Sequence, residues 1–429
     1  DTLIHLSNKP SSEETRFLTK EEAYIVHQLA KNLPNRKKKG FYAADEKEVL
    51  QLESEEIDLA RALFLSQFGN SEEAMQKLYS YEAMIDLMAL QILARLEKNA
   101  TPEEKIAAMN ALVFDELRFR FPPHSLYAKD VDLYTFLPSV LDSRQGVCLG
   151  VSILYICLAE RLDLNLEMVT PPGHIYVRYK NGERIINIET TARGIHLSSD
   201  EYLSVDTKDL ELRSKKQVIG LAHFNLAASF WEKEEHEKIV AAYQKALPYL
   251  PDDMQLKELL GFAYVLSGDK TRGEDLLEKV KDHLPDYAVS RDFTAKEFLE
   301  GLVGLDGIRA LFKPVNEKRS SILDKKEALQ NVLKESPHFT SGIFSLATTW
   351  LQLHREKEAL ALLERYHALD PNNATAEYYL AALYTSRYDY NKAWEHLLLA
   401  EKLVKERAHN PKALKELKKE LTRLSPYNP

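Results

Sequence analysis

A spacing of 34 residues governs the second half of the chain. Pro251 and Pro285 stand 34 apart, as do Pro337 and Pro371. Four segments keep that register: 220–253, 254–287, 340–373 and 374–407. The first carries Leu226, Ala227, Phe230, Ile239, Tyr243, Ala246 and Pro251. The second carries Leu260, Gly261, Tyr264, Gly273, Leu277, Val280 and Pro285. The third has Leu346, Ala347, Trp350, Ala359, Leu363 and Pro371, and the fourth Leu380, Ala381, Tyr384, Ala393, Leu397 and Ala400. Small residues at fixed places let paired helices approach, large ones fill the groove between pairs, and proline stops the second helix of a pair. This predicts stacked helix hairpins that cannot bury their apolar faces alone.

These positions are similar to the tetratricopeptide (TPR) repeat, which implies a right-sized groove for a peptide or protein partner. Between residues 286 and 323 the register is lost. DKKEALQNVLKESP, ending at Pro337, then closes a degenerate unit over about 306–339.

Ahead of the repeats the periodicity changes twice. Residues 1–16 are polar and read as a flexible arm. From 17 to 99 apolar residues recur three and four apart, the mark of helices packed on a core. Ser71 is placed as an N-cap after Gly69-Asn70, and Thr101 before Pro102, Glu103 and Glu104 opens a further helix. LDSRQGVCLGVSILYICLAERLDL reads as a loop entering a buried helix from about Cys148 to Leu162. LEMVT, HIYVRYK and ERIINIETT then read as short strands, with Asn181-Gly182 as a hairpin turn. The expected fold is mainly α with a small α+β core. It comprises a helical N-terminal region (17–99), a core with a short antiparallel sheet (100–212) and a C-terminal TPR solenoid (213–429).

Within that core a thiol and an imidazole stand out. Cys148 follows Gly146 at the start of an apolar helix, where the helix dipole favours thiolate over thiol. His174 follows Pro172-Gly173 at the head of a strand and is a candidate base. Asn187 and Glu189 lie two apart on the next strand, so either is a candidate to hold the far nitrogen of that ring. Gln145 and Gly146 are candidate supports for an oxyanion, together with the backbone N–H of Cys148.

RQGVCLGVSILYICLAERLDL, PPGHIYVRY and INIETTARG together resemble the transglutaminase-like superfamily, most closely a bacterial branch with a helical N-terminal region and frequent TPR repeats. The resemblance spans roughly residues 80–205. It implies a cysteine-protease-like hydrolase with Cys148 as nucleophile and His174 as base. Glu189 then stands in the place of the usual aspartate and Thr191 in the place of the threonine. Protease, amidase and transamidase chemistry all follow from such a set. Two departures are plain: glutamate is one methylene longer than aspartate, and all three tryptophans (Trp231, Trp350, Trp394) are in the repeats rather than near the nucleophile. The alternative function is a non-catalytic TPR adaptor carrying an inactive core.

Other residues receive plainer readings. Cys157, nine residues on and mid-helix, is a buried apolar thiol. About 13 Å from Cys148 along one helix axis, it is too far for a disulfide. His124 and His196 read as surface histidines. Arg118 and Arg120, alternating with Phe119 and Phe121, read as a strand edge. Arg36-Lys37-Lys38-Lys39 reads as a solvated loop. No HExxH, paired CxxC or carboxylate cluster signals a metal, and no glycine loop signals a phosphate cofactor. A net charge of −9 leaves no basic footprint for nucleic acid. The absence of a long apolar run leaves no membrane span. The chain begins at Asp1, as an expression boundary or a removed signal peptide would leave it, so a cytoplasmic and an exported location stay equally open. The oligomeric state is open too.

Overall fold

The computed structural model describes residues 18–122, 134–231, 233–316 and 318–427. The expected arm at 1–16 and His124 lie outside them. Among the described residues seven α-helices precede the sheet: α1 (Lys20–Leu29), α2 (Glu46–Gln51), α3 (Leu59–Phe68), α4 (Glu72–Leu93), α5 (Pro102–Asn110), α6 (Leu137–Ser143) and α7 (Cys148–Arg161). Local chemistry sets their starts. The Ser71 side chain accepts from the N–H of Ala74, and Thr101 with Glu104 forms a reciprocal capping box. α5 runs on into a π-helical turn over Ala111–Glu116.

Three of the expected strands form, as β1 (Glu167–Thr170), β2 (Tyr176–Asn181) and β3 (Arg184–Ile188), and β4 (Glu211–Arg213) adds an edge. The sheet is antiparallel in the order β3-β2-β1-β4. Asn181 pairs with Arg184 around Gly182, whose φ of 61° suits a tight hairpin. α7 lies against β2 and the turn after β3, and the buried hydroxyls of Ser152 and Thr190 bond at 2.9 Å across that seam. One apolar core runs from Ala30 through α3, α4 and α7 to Tyr249, so the first helices and the sheet share their burial.

α7 is also fastened at its far end. Arg161, fully buried, donates to Asp86 of α4 at 2.6 Å. Asp86 takes a second ion pair from Arg36. This corrects the solvated-loop reading of the basic run. Arg36 lies 3.9 Å over the Phe41 ring, and Lys38 donates to the Glu55 carbonyl at 2.7 Å and pairs with Glu160. Only Lys37 and Lys39 are exposed, and Lys39 pairs with Glu56. The buried carboxylates of α4 and α7 lie far along the chain, so the short run alone gave no sign of them.

The repeats form as helix pairs: α8 (Lys215–Trp231) with α9 (His236–Ala246), and α10 (Met254–Leu266) with α11 (Lys270–Val280). A short α12 (Thr294–Leu299) follows. α13 (Leu305–Phe312) and α14 (Arg319–Glu335) fill the degenerate stretch. Then come α15 (Thr340–Gln352) with α16 (Glu356–Leu369), α17 (Ala374–Ser386) with α18 (Tyr390–Glu406), and α19 (Lys412–Leu424) closing the row. Gly273 shows why a small residue is required: a Cβ there would meet Val265 Cγ2 at 2.4 Å and the Gly261 carbonyl at 2.6 Å. The mainly α fold with a small antiparallel sheet is therefore as expected, and the C-terminal repeats form as a row of paired helices.

The solenoid folds back on the loop that leaves the sheet. Val205 is buried in the apolar core of the later repeats. His409 Nε2 meets the Ser204 carbonyl at 2.7 Å, and Lys412 pairs with Glu201 at 3.0 Å. Asp206 accepts from the Ser290 N–H at 2.7 Å, while its carbonyl accepts from Val289 at 2.8 Å.

Candidate active site

The site lies where α7 begins against the ends of β2 and β3. Cys148 is the first residue of α7, after Val147, which supplies no side-chain cap. The opening N–H groups of a helix have no partner within it, so positive potential faces the sulfur. Glycines make the approach possible. A Cβ on Gly150 would meet the Tyr134 carbonyl at 2.2 Å, and one on Gly146 would meet Val151 Cγ2 at 2.6 Å. Gly146 is thus a packing requirement of the chain as it enters α7. Its neighbour Gln145 bridges to Arg120 through the backbone, and its Oε1 is buried with no hydrogen-bond partner among the described residues.

His174 stands just before β2, its backbone N–H turned onto the Pro171 carbonyl at 3.1 Å. Its Nε2 is 2.7 Å from Glu189 Oε2, and Cys148 lies near enough to help raise the pKa of the ring. Burial opposes charge on this imidazole, but the bonds to Cys148 and Glu189 outweigh it and hold its pKa up at about 9. Burial likewise opposes charge on Glu189, and the bonds from His174, Thr191 and Tyr202 outweigh that, bringing its carboxyl down to about 2. The carboxylate accepts four bonds. Beyond His174, the Thr191 N–H and hydroxyl reach Oε1 at 3.1 and 2.6 Å, and the Tyr202 hydroxyl reaches Oε2 at 2.6 Å. Tyr202 also stacks on Tyr176 and His174, with ring centroids at 4.4 and 5.7 Å. Cys148 and His174 both keep some exposure, the His174 side chain 26%.

Asn187, the alternative orienter, does other work. Its backbone N–H donates to His196 Nδ1 at 3.0 Å, and its amide donates to the Leu197 carbonyl and Ser199 Oγ at 2.7 and 3.0 Å. β3 ends at Ile188, and Glu189 caps the short helical turn over Thr190–Ala192. The alternation that put Asn187 and Glu189 on one face therefore stops between them. The extra methylene of Glu189 fits this capping place. His196 is exposed, yet its ring pins the Asn187 backbone. Cys157 is fully buried, and burial pushes its thiol well up. Both cysteines are free. Tyr202 escaped sequence reasoning because a lone tyrosine in a polar loop carries no spacing signal.

A second cluster was missed for the same reason. His367, Glu377 and His396 lie on α16, α17 and α18, and their candidate donor atoms all fall within 4.8 Å of one another. The expectation of no metal-type cluster rested on local spacings such as HExxH. Here the three residues come from three helices, and the fold assembles them.

Residues 79–216 match the description "Transglutaminase-like superfamily". Among curated proteins the chain is 28% identical over 117 residues to F-box only protein 21 of Homo sapiens and of Pongo abelii, and 27% identical to that of Mus musculus. Those matches cover 26% of this chain and only 17% of each relative. Solved structures titled MamA align over 43–44% of the chain and 96–98% of their own, at 15–20% identity and TM-scores of 0.22–0.23. A likeness that low bears on neither fold nor function. No described helix is long and apolar enough to cross a membrane. With the family match falling on the segment that holds Cys148, His174 and Glu189, the chain carries a domain of the transglutaminase-like superfamily over residues 79–216.

Proposed function

We propose that the chain is a thiol-dependent acyl transferase or hydrolase acting on a peptide or amide, with Cys148 as nucleophile, His174 as acid–base and Glu189 as the group that orients the ring. The observation that carries this reading is the 2.7 Å contact between His174 Nε2 and Glu189, on a ring whose pKa Cys148 also helps to raise. In the reaction the thiolate attacks the carbonyl carbon, and the oxyanion forms beside the first N–H groups of α7 and Gln145. The C–N bond breaks, and the imidazolium gives its proton to the departing amine. A thioester remains on Cys148. Water, or an acceptor amine, then attacks the thioester while His174 takes its proton, and the thiolate is released. A histidine held up at about 9 suits the role of proton donor to an amine at neutral pH.

The TPR solenoid supplies the recruitment surface for a protein partner. A cavity of about 490 Å³ between the first and the degenerate units is lined by Trp231, His236, Arg309, Phe312 and Asn331, a mixture of aromatic and polar groups suited to a peptide. The adaptor reading predicts that Cys148→Ala leaves the biological output intact.

The test is alkylation with iodoacetamide across pH, followed by turnover of peptide and amide substrates. Cys148 is expected to be the residue labelled, and Cys148→Ala to abolish both labelling and turnover without altering the fold. Reaction at pH 6 no faster than that of a free thiol would sink the proposal.

A further inference from the structure

We infer that His367, Glu377 and His396 form a binding site for a divalent cation of the zinc class, clipping together three successive helices of the last two full repeats. His367 lies in the last turn of α16, Glu377 in the first turn of α17 and His396 in the second turn of α18. Glu377 is completely buried, His396 is 7% exposed and the His367 side chain 32%. Each carboxylate oxygen of Glu377 meets one imidazole: Oε1 is 2.6 Å from His367 Nδ1, and Oε2 is 2.7 Å from His396 Nδ1. The two rings stand nearly perpendicular with centroids 5.0 Å apart, and His396 lies flat on Tyr384.

Charge is the first argument. A carboxylate out of contact with water needs a compensating cation. Among the described residues the side chains bonded to Glu377 are these two imidazoles, with no lysine or arginine.

Donor chemistry is the second. Two imidazole nitrogens with one carboxylate oxygen are a set that zinc takes with a fourth position left to water, at about 2.0–2.2 Å per bond. Donors around such an ion stand about 3.3 Å apart, which follows from those bond lengths in a tetrahedron. Donor atoms already confined within 4.8 Å need only a small adjustment. His367, the exposed member, is the ring free to make it and faces the water that completes the shell. On binding, each Nδ1 becomes a ligand. A neutral ring moves its proton to Nε2, and a protonated ring releases one proton to solvent.

The experiment uses the full chain carrying Cys148→Ala, so that the reactive thiol does not compete for the ion. Metal-free protein is titrated with Zn(II) by calorimetry and with Co(II) by visible absorption. Expected are one equivalent per chain, a tetrahedral Co(II) spectrum and a melting temperature that rises with Zn(II) concentration. Glu377→Gln, which keeps the shape of the side chain, and His367→Ala, which removes the half-exposed ring, should each lose that equivalent and the thermal shift. Circular dichroism shows whether each variant stays folded, and His367→Ala remains decisive if Glu377→Gln does not. The absence of a stoichiometric equivalent at micromolar Zn(II), or an equivalent retained in folded His367→Ala, overturns the site.

Discussion

Among the imidazole–carboxylate pairs of the described residues, His174–Glu189 in the core and His396–Glu377 in the repeats share a bond length while their other partners differ. His174 and Glu189 meet at 2.7 Å, as do His396 and Glu377. In the core the carboxylate is saturated by fixed donors, Thr191 twice and Tyr202 once, and the pKa of its single imidazole is also raised by a nearby thiol. In the repeats the carboxylate has no hydroxyl partner among the described residues, and a second imidazole bonds its other oxygen. The first arrangement holds an ion pair ready to move one proton. The second concentrates lone pairs around a point. The pair itself is neutral as to chemistry, and its third neighbour decides.

That comparison can be broken by experiment. Cys148→Ala should remove alkylation and lower turnover by roughly 10³-fold or more, the scale of losing a triad member, with binding of Zn(II) at the repeats unchanged. Glu189→Gln should cost roughly 10² to 10⁴ in kcat and bring the alkaline limb of the pH profile down from about 9 towards 6.5.

The same variant has a stability signature. His174 is raised from 6.5 to about 9, so its ion pair stabilises fully below 6.5 and fades as pH climbs to 9. Glu189 is lowered from 4.5 to about 2, so its share is full above 4.5 and is lost on acidification towards 2. The melting-temperature gap between wild type and Glu189→Gln should therefore be widest between pH 4.5 and 6.5. An unchanged gap across pH would show that the pair is not ionic.

His396→Ala strips one partner from a buried carboxylate and should cost about 3 kcal/mol by denaturant titration, while the alkylation rate of Cys148 stays put. Tyr202→Phe removes one hydrogen bond to a charged acceptor, worth about 1.5 kcal/mol, and should lower kcat roughly tenfold with KM little changed. If Tyr202→Phe matched Glu189→Gln in size, the carboxylate would depend on one donor rather than on its whole set.

What could be read before folding was whatever repeats or lies close along the chain. Thr101 and Ser71 cap because their partners are three residues away. The repeats show themselves because one packing problem is solved again every 34 residues. Cys148, His174 and Glu189 were legible because each sits at the end of an element whose own pattern is strong. The contacts that escaped are long-range and unrepeated. Arg36 reaches Asp86, fifty positions on, and its basic neighbours hide that. Asn187 looked equivalent to Glu189 until β3 ended one residue before the carboxylate. His367, Glu377 and His396 have no short-range spacing at all, since helix pairing sets their distances.

The return of the solenoid onto the 199–207 loop has a practical corollary. Tyr202 belongs to a segment whose Glu201, Ser204 and Asp206 are all held by residues beyond 285. A chain trimmed to the catalytic-looking third would keep every reacting atom and lose the brace that sets the tyrosine against Glu189. Activity measured on such a fragment would report an unbraced centre.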